Sequence, residues 1–505
     1  MAVTVPGTGG STVTISGSGD ALNLAQVISG ALGNVTASGG SLTVTGATLP
    51  GGDSSIASVS AGAGTTTELL LEGTDPAAVT VGGGWDFIID NMSTSPTITA
   101  TGDSNILGNS LGGVYFLQGS GTVAGTGGNN FISSSGAAYQ LSGAGASGTD
   151  DTVFGSGSGT LAGGGGTNLM VADGVSNTIL SSGTNDVAIL AGGATRVIST
   201  GTGVGILQSG ADSALVTMTG GSGLFLGGTG SLNLVSGGAN DTIAVGTGVN
   251  NVTISGTGSQ LFGNGTLDLV MTGSNDSVLT GASGPSTVQA SGSALVADGG
   301  GGLTFVGGAG TSTVIGGSIQ DAVTVGSGGL VYGAGSGSVA TITGGAGGST
   351  IFGGAGAVVN FTGTGSGATL VASLGNETLN AAGSSTNNLF TSTSVTSANA
   401  LMIGGSGSDT MLAGGGSETM TGGAGSDAFV FFNANTQGLH DFVTDFSSQD
   451  AVFLLGYSSV QSASSLLQNA VVNGSGVTLT LSDNTQVTFS NLTNTSELNG
   501  KIFYG

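Results

Sequence analysis

Three carboxylates, Asp409, Glu418 and Asp427, recur at an interval that suits a hard cation. Residues 404–430 divide without gaps into the nonapeptides Gly-Gly-Ser-Gly-Ser-Asp-Thr-Met-Leu, Ala-Gly-Gly-Gly-Ser-Glu-Thr-Met-Thr and Gly-Gly-Ala-Gly-Ser-Asp-Ala-Phe-Val. Glycines such as Gly405, Gly407, Gly414, Gly416, Gly423 and Gly425 permit tight turns whose backbone carbonyls point at a common centre. The carboxylate at the sixth position adds an anionic oxygen, and Ca2+ takes six to eight oxygens. The apolar residue at the eighth position (Met411, Met420, Phe429) starts a short strand whose side chain points into a core.

This pattern resembles the repeats-in-toxin (RTX) family, whose repeat GGxGxDxUx, with U apolar, builds a Ca2+-binding parallel β-roll. The resemblance implies two nonapeptides per coil, so that Asp409 and Asp427 share one edge and Glu418 faces the other. The middle repeat departs from the pattern, with Ala413 for the first Gly and Glu418 for Asp. Beyond the nonapeptides, Leu439-His440-Asp441-Phe442-Val443 and Asp450-Ala-Val-Phe-Leu-Leu-Gly-Tyr457 are similar to the segment C-terminal to the repeats in RTX proteases and lipases. That likeness implies a C-terminal cap carrying an uncleaved signal for type I secretion, hence a secreted, extracellular or cell-surface protein.

Other chemistry finds little support. The one histidine, His440, cannot supply the two of HExxH or serve a Ser-His-Asp triad. The GxG strings lack a Walker lysine. Asp150-Asp151 resembles the paired aspartates of polygalacturonases, but the Asn-Thr-Asp, Gly-His-Gly and Arg-Ile-Lys strings of those enzymes are missing, and Arg196 and Lys501 stand far apart. The reading is not an enzyme.

Of 505 residues 106 are Gly, yet 38% are hydrophobic and mean hydropathy is +0.37, which disordered chains do not match. Acids number 27 against one Arg, one Lys and one His, a net charge of −25. That balance excludes nucleic acid, whose binding needs Lys and Arg, and argues against anionic membranes. Dispersed acids suggest a surface that repels its own copies until cations screen it. There is no cysteine, no apolar run long enough for membrane insertion, and no basic and apolar leader at the N-terminus.

Elements that could position the carboxylates repeat along most of the chain. Short apolar strands between Gly/Ser/Thr/Asn turns recur every eight to ten residues from about residue 67, through Tyr115, Val153, Ile189, Ile198, Leu207, Phe225, Val331 and Leu379. A shared beat of this kind marks a solenoid. The fold class is therefore all-β, a parallel β-solenoid with a strand-turn period of about nine residues, capped by a C-terminal β-rich segment. Two strands per coil is favoured over three. The segments are an N-terminal cap region (1–66), a degenerate-repeat solenoid (67–400), the RTX-like roll (401–432) and the C-terminal cap (433–505).

In the first of these, Leu24, Val27, Ile28, Ala31 and Leu32 fall at helical spacing, with Asp20 as N-cap and Gly33 as stop. Such a helix could close the open end of a solenoid. Pro6, Pro50, Pro76 and Pro96 place the start of the regular array near residue 97. Within the array a carboxylate recurs just before a strand, in Asp150-Asp151, Asn185-Asp186, Asn240-Asp241, Asn275-Asp276, Gln320-Asp321 and Asn376-Glu377. These pairs read as turn stabilisers through side-chain to backbone bonds, with scattered weak Ca2+ sites as the alternative. Val477–Leu481 and Gln486–Phe489 read as a hairpin. Trp85 and the tyrosines form no stripe for stacking sugars, and threonine pairs are too irregular for an ice-binding face.

The functional expectation is a secreted structural solenoid that self-associates in a matrix, filament or surface layer, with Ca2+ stabilising its C-terminal repeats. The alternative is a Ca2+-dependent adhesin that binds cell-surface polysaccharide.

Overall fold

The computed structural model describes residues 2–16, 19–38, 41–49, 51–74, 78–144, 148–373, 375–393, 399–433, 438–457 and 461–505. It is 49% strand and 6% helix, a parallel β-solenoid with about 18 residues per turn. Its contacts divide the chain into two units, Met1–Ser259 and Gln260–Gly505.

In the first unit two parallel ladders alternate along the chain. The Ser41 ladder runs through Ser41–Leu49, Thr65–Gly73, Phe87–Asp90 and Ser104–Leu107. The Ser54 ladder runs through Ser54–Ile56, Ala78–Val81, Thr97–Ala100 and Val114–Leu117. Each coil therefore holds two strands. Alternation sends every second side chain inward, so that Met170, Ala188, Ile206, Phe225 and Ile243 stack in one buried row and Leu161, Ile179, Val197, Val216 and Leu234 in the other. The second unit repeats the plan, with a Gln260 ladder (Gln260–Phe262, Asp276–Leu279, Ala294–Ala297 onward) and a Thr266 ladder (Thr266–Met271, Ser286–Ala290, Leu303–Gly307 onward). It closes with the expected antiparallel hairpin, Gly476–Thr480 against Gln486–Phe489.

Three expectations need correction. The ladder starts at Ser41 and not near residue 97, because Pro6 ends a separate hairpin strand and Pro96 sits in a turn just ahead of Thr97–Ala100, where neither interrupts a ladder; Pro50 and Pro76 lie outside the described residues. The helix α1 spans Gly19–Ala37, so Asp20 and Gly33 lie within it rather than at its ends. It buries Leu22, Ala25, Ile28 and Leu32 while Val27 is exposed; the side chain of Leu24 is outside the described residues. Nor does α1 close the end of the coil. It lies on outward-facing Leu70, Ile89, Leu107 and Ala124, an apolar row that would otherwise meet water. The inward-row residues Thr43 and Thr45 of the first coil stay exposed.

Glu68 is trapped beneath this N-terminal layer. It pairs in register with Val44 and Phe87, is fully buried, and neither carboxylate oxygen has a hydrogen-bond partner. Burial pushes its carboxyl from the ordinary 4.5 up to about 7. The folded chain then holds a proton that the unfolded chain has released, so this contribution is full below pH 4.5 and is lost as pH rises through about 7. Thermal melts across that window are expected to show a decline on the order of 2 kcal/mol that Glu68→Gln removes; an unchanged pH profile in the variant would refute the assignment.

Candidate metal-binding segment

The three nonapeptides form strands Thr410–Leu412, Thr419–Thr421 and Ala428–Phe432, and Met411, Met420 and Phe429 are fully buried. Met411 lies beside Phe429 on the Gln260 ladder, whereas Met420 follows Met402 on the other. This register puts Asp409 and Asp427 in adjacent coils on one edge, with the Asp409 N–H donating to Asp427 Oδ1 at 2.8 Å. Glu418 stands on the opposite edge, its N–H donating to Asp441 Oδ1 at 2.9 Å.

The glycines serve close stacking of turns. A Cβ on Gly405 would lie 2.0 Å from the Ser384 carbonyl oxygen and one on Gly407 2.4 Å from that of Thr386. Gly423 and Gly425 have φ of +93° and +130°, and a Cβ on either would meet the carbonyl oxygen of Gly405 or Gly407. A Cβ on Gly414 would lie 2.4 Å from the Thr393 carbonyl oxygen. Gly416 is buried in its turn. The Gly405 carbonyl is itself engaged by the Ala424 N–H at 2.9 Å.

The carboxylates point inward. Both oxygens of Asp409 are engaged, with Oδ1 accepting from the Asn388 N–H (2.6 Å) and Nδ2 (3.0 Å) and Oδ2 from the Gly405 N–H (2.8 Å). The same arrangement recurs throughout. Asn130 donates its N–H to Asp151, Asp151 to Asn168 and Asn168 to Asp186, a ladder of side-chain acceptors climbing one corner of the first unit. The second oxygen takes an N–H of its own turn, from Ala144 on Asp151 and Gly183 on Asp186, and the two oxygens of Glu377 take those of Ser373 and Gly375, one each. Asp321 instead accepts the Tyr332 hydroxyl at 2.7 Å, and Asp90 the Tyr115 hydroxyl at 2.9 Å. The Asn-Asp pairs thus act as turn stabilisers. Asn185, Asn240, Asn275 and Asn376 all have φ near +60°, a left-handed conformation that Asn tolerates better than most residues.

This overturns the picture of dispersed surface acids. Thirteen of the 27 are buried among the described residues, because a carboxylate accepts several N–H bonds at once in a tight corner. Trp85, Tyr115, Tyr139, Tyr332 and Tyr457 are buried, as expected of core or cap residues, while Tyr504 is only half-buried. His440 packs against Phe442, ring centroids 4.3 Å apart, with Nε2 2.8 Å from Thr488 Oγ1.

Sequence reasoning missed Asp441, Asp445 and Asp450 as neighbours of the repeats. Asp427 donates its N–H to Asp450 Oδ1 (2.9 Å), and Asp445 accepts from Gly422 and Gly423. The signal was present: Asp441-Phe-Val443 and Asp450-Ala-Val452 repeat the carboxylate-x-apolar step of Asp427-Ala-Phe429 beyond an insertion. Burial first, and the charges of Asp450, Asp409 and Asp445 after it, push Asp427 up to about 7. Burial and the neighbouring Glu418 push Asp441 well above the ordinary carboxylate range.

For Ca2+ the fit is divided. Asp427 Oδ2 is buried without a hydrogen-bond partner, and the buried Glu418 and Asp441 carboxyls lie close enough for one to donate a proton to the other, places that a hard cation or a proton could fill. Both Asp409 oxygens already have partners. Among the described residues no three Asp, Glu, His or Cys side chains converge on a point where a metal could sit.

Fold and corners together define a two-strand-per-coil β-solenoid with inward Asx and Glu acceptors at its turns. Comparison with protein-family models, curated proteins and solved structures finds no match for the chain.

Proposed function

We propose that this chain is an exported structural protein that self-associates in a matrix, filament or surface layer. The supporting observation is the first strand of the solenoid. Ser41–Leu49 pairs through one edge only among the described residues, over nine residues with no charge and no proline. Exposed Thr43 and Thr45 extend that opening into the coil interior. An uncharged free edge of this length is a template for another chain, and a second copy brings strands of the same spacing. Calcium belongs to the reading as a ligand of the C-terminal repeats, where Asp427 carries an unpartnered oxygen and the Glu418 and Asp441 carboxyls are buried against each other. Export rests on the likeness of the C-terminal segment to RTX proteins.

Electron microscopy of the full chain should show end-to-end assemblies that Thr43→Lys/Thr45→Lys shortens or abolishes while the circular dichroism spectrum is unchanged. Assemblies of unaltered length in that variant, or single particles throughout in the unmodified chain, would refute end-to-end growth. A second reading, adhesion to polysaccharide, draws on the hydroxyl and amide face of the Thr266 ladder, where Thr287, Thr304, Thr341 and Asn360 point outward. Glycan binding that survives dilution below self-assembly would favour it.

A further inference from the structure

The Gln260 ladder presents an outward face of different chemistry from the Thr266 ladder. Phe262, Leu279, Leu295, Ile315, Val331 and Phe352 point out of its strands and are between 37% and 51% exposed. No residue pointing outward from a strand of this ladder is charged, in a chain of net charge −25. Across the coil, the matching positions of the Thr266 ladder are largely Thr, Gln, Asn and Asp. Apolar residues on both sides of a strand are what buried sheets require, and here one of the two sides is bare.

We infer that this face is a lateral interface between two copies of the chain, packed sheet on sheet. This rests on the reading of the protein as self-associating, but it names a surface distinct from the free edge. Size supports a second copy as the occupant. Twelve strands about 4.8 Å apart, each about 13 Å wide, give a footprint of roughly 750 Å2, close to the ~800 Å2 per partner of a stable interface, in which the apolar side chains are interleaved with Ser277, Thr313, Thr350 and Thr369. Charge supports it too. A cationic or anionic partner finds nothing on this face to pair with, whereas an identical copy brings an equally neutral apolar surface, and the same patch on both partners satisfies a two-fold arrangement. Because both copies carry the same net charge elsewhere, association should strengthen as salt screens them.

Sedimentation velocity of the full chain at low and high salt tests this. The unmodified protein should associate more tightly at high salt. Leu279→Glu and Phe352→Glu should each weaken association about tenfold or more by placing like charges in a desolvated contact, with melting and circular dichroism unchanged because both side chains point away from the core. Val306→Glu, on the outward side of the Thr266 ladder, should associate as the unmodified chain does. Thr43→Lys/Thr45→Lys should keep the lateral dimer; loss of end-to-end growth with dimers intact would separate the two surfaces. The proposal is overturned if the unmodified chain stays monomeric, if Val306→Glu is as disruptive as Leu279→Glu, or if neutral lipid vesicles capture the chain through Leu279 and Phe352 while no dimer forms.

Discussion

Gly246→Ala is expected to cost roughly 3 kcal/mol or more, whereas Gly333→Ala should be neutral or slightly stabilising. Both glycines lie in coils of similar composition, and the difference is what the new methyl would meet. At Gly246 a Cβ would stand 1.4 Å from the Gly228 carbonyl oxygen, in the stacked turn of the preceding coil. That atom is backbone, held by the ladders on both sides, so relief requires the coils to part and their hydrogen bonds to lengthen. At Gly333 nothing lies within 4 Å of the added carbon, and the alanine only reduces the freedom of the unfolded chain. Urea midpoints of the full chain, with hydrogen exchange over residues 224–254 to localise the loss, would measure both. Equal midpoints in the two variants would mean that turn stacking has slack and that the glycines at these corners serve something other than close approach.

The same contact explains what the sequence made legible. Turns that stack at van der Waals distance force Gly into fixed places, so the nine-residue beat is written in glycines as much as in apolar residues. Side-chain direction was harder. Ile189, Ile198, Leu207 and Val331 look like core residues from the beat, yet each points outward, with Ala188, Val197, Ile206 and Tyr332 inward. In Val-Ala-Ile-Leu or Leu-Val-Tyr alternation is masked because the outward face is also apolar, and a shift of one residue exchanges the two faces. At Val331 the ambiguity is itself a trace of the bare face. The candidate site was legible to a similar depth. The RTX likeness placed Asp409 and Asp427 on one edge and Glu418 on the other, but it did not show that the carboxylates turn inward. That depends on where the N–H groups of the preceding coil fall, as with Asn388 against Asp409. Asp441 and Asp450 were hidden by the change of interval from 18 to 23 residues at the cap.

On the proposed reading, those inward carboxylates should make the C-terminal repeats sensitive to pH and calcium together. Asp427 has an ordinary value of 3.8 and is raised to about 7 by burial and by its acidic neighbours, and Asp441 is raised by burial and by Glu418. In the folded segment each keeps a proton that the unfolded chain gives up, so the contribution of Asp427 is complete in acid and is lost as pH rises from 3.8 through about 7, and that of Asp441 is lost at higher pH still. The loss is on the order of 2 kcal/mol for Asp427 alone. A cation that binds only the folded, deprotonated form restores stability in proportion to its occupancy. Calcium should therefore raise the melting temperature above pH 7 and have little effect in mild acid, where the proton already fills its place. Asp427→Asn, which cannot titrate, should flatten the pH profile and shrink the calcium effect. Hydrogen exchange on chelation above pH 7 should loosen residues 401–505 and leave the apolar coils before them protected. Equal loss of protection along the whole chain, or calcium stabilisation of the same size in acid as in base, would show that these carboxylates are not where the cation acts.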